Sequence, residues 1–175
     1  MVKKKILVTG ANGLLGQKII YNLKNRIDVS LLACSRGVNR LIETNGYKYI
    51  ELDITNKNQV QKVISIEKPD AVINCAAMTN VDKCEKNQKE CWGINVNAVE
   101  NIANACEAVK AHLLHLSTDF VFDGTAGPYK ENDQPNPLHF YAESKLKSEE
   151  IIKKNLTNWS IARTIIIYGI TDNMS

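Results

Sequence analysis

Apolar positions fall into short continuous runs separated by stretches with helical spacing. Residues 5–9, 28–35, 47–52, 70–74, 112–117 and 159–168 read as strands, being short, apolar and rich in β-branched side chains. Residues 14–25, 56–68 and 141–155 show helical periodicity, with Val60, Val63 and Ile64 as the buried stripe of the second helix and Pro69 ending it. Another helix carries Cys91, Ala98, Val99, Ile102, Cys106 and Val109 on one face, and Asn95 falls on that same face. A buried polar residue costs free energy unless it is hydrogen-bonded. Asn95 therefore either caps a neighbouring loop or anchors a backbone group or water beside a site. Residues 123–137, rich in Gly, Pro, Asp and Asn, form a loop. Alternating strands and helices predict an α/β fold with a doubly wound parallel sheet of the Rossmann type, in one domain over residues 1–175.

The ends of these strands carry the candidate chemistry. The first strand runs into Gly10-Ala-Asn-Gly13-Leu-Leu-Gly16, a turn that lets backbone approach a pyrophosphate and aims helix N-terminal amides at it. About 20 residues later, where an NAD site offers an acid to the ribose, the chain has Ser35-Arg36. A planar guanidinium suits the 2′-phosphate of NADP, and the bland alternative is a solvated surface arginine. Small residues at Asn74-Cys75-Ala76-Ala77 either lie against a nicotinamide ribose or reflect tight packing. Tyr141 and Lys145, four apart on a helix, share one face, and a cation near a phenol favours its ionised form. In a doubly wound sheet all these groups share one rim.

Composition narrows the picture little. The chain has 175 residues, is 44% apolar and 23% charged, and carries a net charge of +3. No basic stripe with interleaved aromatics points to nucleic acid, and the short apolar run after Met1 is neither a signal peptide nor a membrane span. Five cysteines in no CxxC pair are expected as reduced thiols of a cytoplasmic protein, with no metal site.

Taken together, VTGANGLLGQ, KPDAVINCAAMTNVDKCE, INVNAVENIA, STDFVFDG, PYKENDQPNP, YAESK and ART resemble the extended short-chain dehydrogenases, most closely the dTDP-4-dehydrorhamnose reductases, across nearly the whole length. The resemblance implies hydride transfer from NADPH, with NAD as a second candidate, to C4 of a 4-keto-6-deoxy sugar nucleotide, in dTDP-rhamnose or related cell-surface sugar biosynthesis. It implies Tyr141 as proton donor, Lys145 lowering its pKa and holding the nicotinamide ribose, and Thr118 bonding the reacting oxygen. Gly10, Asn12, Gly13, Leu14, Leu15 and Gly16 would carry the pyrophosphate, and Ser35 and Arg36 the adenosine ribose. Asp53 and Ile54 would meet the adenine, and Cys75, Ala76, Ala77 and Asn95 the nicotinamide side. A homodimer is a candidate assembly. Ala142 stands where the family usually has glycine, and Met78 where tyrosine is common. Family members continue into a smaller substrate lobe with no counterpart in this sequence, so a truncated or split form is expected. Related dehydratases carry Asp-Glu after the threonine, whereas this chain has Asp119-Phe120. A second rival is a cofactor-binding regulatory subunit, like the non-catalytic partner of methionine adenosyltransferase.

Overall fold

The computed structural model describes residues 2–173. Six strands, β1 (Lys4–Thr9), β2 (Val29–Ser35), β3 (Lys48–Glu51), β4 (Ala71–Asn74), β5 (His112–Thr118) and β6 (Trp159–Thr164), form one parallel sheet in the order β3-β2-β1-β4-β5-β6. The helices are α1 (Leu14–Leu23), α2 (Lys57–Glu67), α3 (Val81–Lys86), α4 (Gln88–Trp92), α5 (Ala98–Val109) and α6 (Phe140–Asn155). This is the doubly wound arrangement that the alternation predicts. Strand order reverses between β1 and β4, which opens a crevice at their carboxyl ends.

Both faces of the sheet are covered, which explains why its strands read as unbroken apolar runs. Leu7 packs with Leu32, Val72 and Leu113 against Ile64 of α2, Ile102 of α5 and Ile152 of α6. Its neighbour Val8 points the other way, into Leu31, Ala33 and Ile20 of α1. Each fully buried side chain of this kind contributes about 1.5–3 kcal/mol. Side-chain caps set two helix starts near the rim. The Asn56 side chain accepts the Gln59 N–H at 3.1 Å before α2, and His139 Nδ1 accepts the Ala142 N–H at 3.2 Å before α6.

Two elements differ from the sequence expectation. The sixth strand stops at Thr164, because β5, its pairing partner, ends opposite it at Thr118. Ile165, Ile166 and Tyr168 therefore leave the sheet and are exposed. The single helix expected around residues 91–109 is α4, then one π-helical turn at Gly93–Asn97, then α5. Ahead of it lies α3, which the apolar pattern did not show; its start is capped by Asn80, whose side chain accepts the Lys83 N–H at 2.8 Å.

Candidate functional site

At the carboxyl ends of β1 and β4 lies a cleft with two lobes that share Gly10, Gly13, Cys75 and Ala77. The lobe toward β5 and α6 has a volume of about 440 Å³ and the lobe toward β2 and β3 about 450 Å³. The glycine turn separates them, and its three glycines do different work. Gly10 has φ +67°, and a Cβ there would lie 2.7 Å from the Ala76 nitrogen; at Gly16 a Cβ would lie 2.2 Å from the Gly10 carbonyl oxygen. Those two positions are fixed by backbone packing. Gly13 instead faces the cleft, where an added Cβ would meet only the Gly10 oxygen at 3.3 Å. No side chain caps α1. Its first-turn amides, at Leu14, Leu15 and Gly16, are thus donors suited to an anion in a lobe lined by those same residues.

Ser35, Arg36, Asp53, Ile54 and Ala76 line the second lobe, together with Asn12 and an arginine that sequence reasoning missed, Arg40. The Asn12 amide pins the loop that carries both arginines. Its Nδ2 donates to the Val38 carbonyl at 2.9 Å, and its Oδ1 accepts the Arg40 N–H at 3.0 Å. Asp53 Oδ1 accepts from the Thr55 N–H at 2.9 Å and the Thr55 hydroxyl at 2.7 Å. Burial works to raise the Asp53 pKa, but these bonds and the charge of Arg36 outweigh it, so the carboxylate sits below its ordinary value.

Thr118, Tyr141 and Lys145 meet in the first lobe, facing Leu14, Leu15 and Gly16. Residues 165–167, having left the sheet, form part of its wall. Tyr141 is 8% exposed and packs on Met78, Cys84 and Cys91. Burial raises its pKa, and the neighbouring Thr118 hydroxyl only partly offsets this. Here the structure corrects the expectation that Lys145 lowers the phenol pKa. The Lys145 ammonium donates to the Leu116 carbonyl at 2.6 Å and lies 3.1 Å from His115 Nε2, so its hydrogen-bond partners are on β5. Lys145 is 2% exposed, and that desolvation brings its own pKa down to about 8, with Glu149, Cys75 and Cys91 opposing the drop.

Asn95 anchors a backbone group, one of the two roles its place on the buried helix face suggests, but the direct cofactor contact expected of it is not seen, since it is fully buried and lines neither lobe. Its Oδ1 accepts the Met78 N–H at 2.8 Å, and its Nδ2 donates to the Met78 carbonyl at 3.0 Å and to Ser144 Oγ at 3.0 Å. The π turn carries this amide inward, where it ties the segment after β4 to the helix bearing Tyr141. Burial raises the Cys75 thiol to about 12, which makes it an inert wall shared by both lobes.

A larger hollow of about 1120 Å³ runs beside β6, lined by Phe122, Tyr129, Trp159 and Arg163 among others. It contains none of the expected site residues but shares Asp119 and Phe120 with the first lobe. Among the described residues, no cluster of His, Cys, Asp and Glu could hold a metal, and no helix is long and apolar enough to cross a membrane.

A parallel sheet with an uncapped glycine-turn helix at its switch point, and a Tyr-Lys helix beside it, defines a Rossmann-type domain of the short-chain dehydrogenase class. Similarity to known proteins narrows this. The chain belongs to the RmlD substrate binding domain family, matched over residues 4–174. It is 35% identical over 166 residues to methionine adenosyltransferase 2 subunit beta of Danio rerio, covering 95% of this chain and 49% of that one. It is also 35% identical over 166 residues to a dTDP-4-dehydrorhamnose reductase of Aggregatibacter actinomycetemcomitans, covering 94% and 52%. Among solved structures, a dTDP-4-dehydrorhamnose reductase from Bacillus anthracis in complex with NADP superposes with a TM-score of 0.85 at 33% identity, over 99% of this chain and 57% of that one. The chain spans about half the length of the curated relatives it matches.

Proposed function

We propose that residues 1–175 are the cofactor-binding domain of an NADPH-dependent reductase that acts on the 4-keto group of a 4-keto-6-deoxy sugar nucleotide such as dTDP-4-dehydrorhamnose. The observation that carries this reading is the meeting of Thr118, Tyr141 and Lys145 in a lobe continuous, through Gly13, with one lined by two arginines. The residues present fit a phosphorylated dinucleotide. Gly13 and the uncapped first turn of α1 offer amides to a pyrophosphate, and Arg36 with Arg40 offers cations to a 2′-phosphate. The Bacillus anthracis relative was solved with NADP, which supports the same choice, with NAD as a second candidate. When bound, the nicotinamide supplies the hydride.

The chain's own residues supply the rest. A phenol whose pKa is raised stays protonated at neutral pH, as a proton donor to a developing alkoxide must. Thr118, beside that phenol in the same lobe, orients the acceptor oxygen, and the Lys145 ammonium, itself 2% exposed, stabilises negative charge there. The test is oxidation of NADPH by dTDP-4-dehydrorhamnose, in a form extended to the length of its reductase relatives. No turnover with intact NADPH binding would overturn the reductase reading. The second reading, a cofactor-binding regulatory subunit, is favoured by the equal identity to methionine adenosyltransferase 2 subunit beta. It predicts stable capture of a methionine adenosyltransferase catalytic subunit that survives Tyr141→Phe.

A further inference from the structure

Thr9, Asn74 and His115 occupy matching positions on β1, β4 and β5. Their side chains join across the sheet: Thr9 Oγ1 meets Asn74 Oδ1 at 2.5 Å, and Asn74 Nδ2 meets His115 Nδ1 at 3.0 Å. His115 Nε2 then lies 3.1 Å from Lys145 Nζ. None of the four is more than 2% exposed, so the chain of contacts is closed to water.

A neutral imidazole carries one proton, so one ring nitrogen donates while the other accepts. For an ammonium hydrogen to point at Nε2, the proton must sit on Nδ1. Nδ1–H then donates to the Asn74 side-chain oxygen while the Asn74 NH2 turns to Thr9, an amide orientation that heavy-atom positions alone leave interchangeable. The other tautomer would place Nε2–H toward Ser148 Oγ, 3.0 Å away, and leave the Lys145 ammonium the Leu116 carbonyl but no acceptor on the ring. Ser148 Oγ donates to the Lys145 carbonyl at 2.6 Å, so toward the ring it can only accept, and it is the partner with which the Nε2–H tautomer competes against Lys145. An ammonium has three hydrogens, and the Leu116 carbonyl takes one.

We propose that His115 is a positioning residue for Lys145: held as the Nδ1–H tautomer by Asn74, it accepts a second ammonium hydrogen through Nε2 and leaves the third facing the cleft. Burial, with the charge of Lys145, keeps the imidazole well below its ordinary pKa and hence neutral. The other titratable groups acting on Lys145 are Glu149 on its own helix, Cys75 at the end of β4 and Cys91 on α4. That the third hydrogen meets a ribose hydroxyl rests on the function proposed above; the tautomer and the grip on Lys145 do not.

The decisive measurement is long-range proton–nitrogen NMR of the His115 ring in the 175-residue chain at neutral pH, without added ligand. An unprotonated, pyridine-type Nε2 is expected, and a protonated Nε2 overturns the proposal. The Lys145 titration, followed with labelled lysine and assigned by Lys145→Met, gives an independent arm. His115→Met removes the acceptor and should lower the Lys145 midpoint by about one unit. His115→Gln offers Oε1 in place of Nε2 and should keep the midpoint near that of the starting protein. An unmoved midpoint in folded His115→Met, or an equal drop in His115→Gln, overturns the proposal. If His115→Met does not fold, the tautomer of the starting protein decides alone. Failure of NADPH to bind would sink the cofactor reading and leave both NMR results standing.

Discussion

Arg36→Ala should narrow, not abolish, a preference of this cleft for NADPH over NADH. The sequence offered one arginine at the ribose position, but Arg40 lines the same 450 Å³ lobe, on a loop that Asn12 ties down. A charge-assisted hydrogen bond contributes about 1.5–3 kcal/mol, so losing the Arg36 contact should weaken NADPH binding roughly 10- to 150-fold. Asp53 pushes the loss toward the upper end. The charge of Arg36 acts on that carboxylate in the same lobe, and without it the carboxylate faces the phosphate less compensated. NADH affinity should change little, and Arg36→Ala combined with Arg40→Ala should bring the two affinities together. Calorimetry with both cofactors at one ionic strength measures this, and added salt should reduce the NADPH advantage of the starting protein. Equal affinities in the starting protein, or an unchanged NADPH affinity in Arg36→Ala, would refute the reasoning.

Two further outcomes are expected. In a form extended to the length of the reductase relatives, Tyr141→Phe should cut turnover by about 10²-fold or more while leaving NADPH affinity nearly unchanged, read by steady-state kinetics and fluorescence titration. Arg163→Met should destabilise the fold by about 3 kcal/mol in denaturant unfolding, because the fully buried Glu149 carboxylate loses its two bonds to Arg163, at 3.0 and 2.6 Å, and keeps only the Ser117 hydroxyl and the more distant Lys153. Adding Glu149→Leu should recover part of that loss; a double variant no more stable than the single one would contradict it.

The sheet was legible because its strands are buried on both faces, which leaves continuous apolar runs, and the glycine turn because its spacing is local. Residues 165–168 misled for a related reason. Their β-branched composition matches a strand, yet strand pairing is decided by a partner, and β5 has ended by then. Asn95 was recognisable as an anomaly from helical periodicity, but its partners, Met78 and Ser144, lie 17 and 49 residues away in sequence. The same holds for Lys145. Helical spacing put it on the face of Tyr141, whereas its hydrogen-bond partners sit on β5 about 30 residues earlier. Arg40 falls in the loop of residues 36–47, which has neither strand nor helix periodicity to orient its side chains.

The depressed pKa of Lys145 gives cofactor binding a distinct pH signature. Only the ammonium has a hydrogen for the cleft once Leu116 and His115 have taken theirs, so affinity should fall as pH rises through about 8, approaching tenfold per unit above it. NADPH and NADH should decline in parallel, because the 2′-phosphate titrates near pH 6 and is already ionised in this window. The titration of Lys145 does not itself weaken the fold over this range. Lys145 has a lower pKa folded than its ordinary 10.5, so between about 8 and 10.5 the unfolded chain binds more protons and this group adds stability as pH rises. The cysteines act with the opposite sign, since Cys34, Cys75, Cys84 and Cys106 are raised from 9.0 to about 12 and favour unfolding as pH passes 9. Titrations between roughly pH 7 and 9 therefore separate binding from stability. Lys145→Met should bind weakly and without this dependence. An affinity flat across the window in the starting protein would mean that the ammonium hydrogen is not what the cofactor meets.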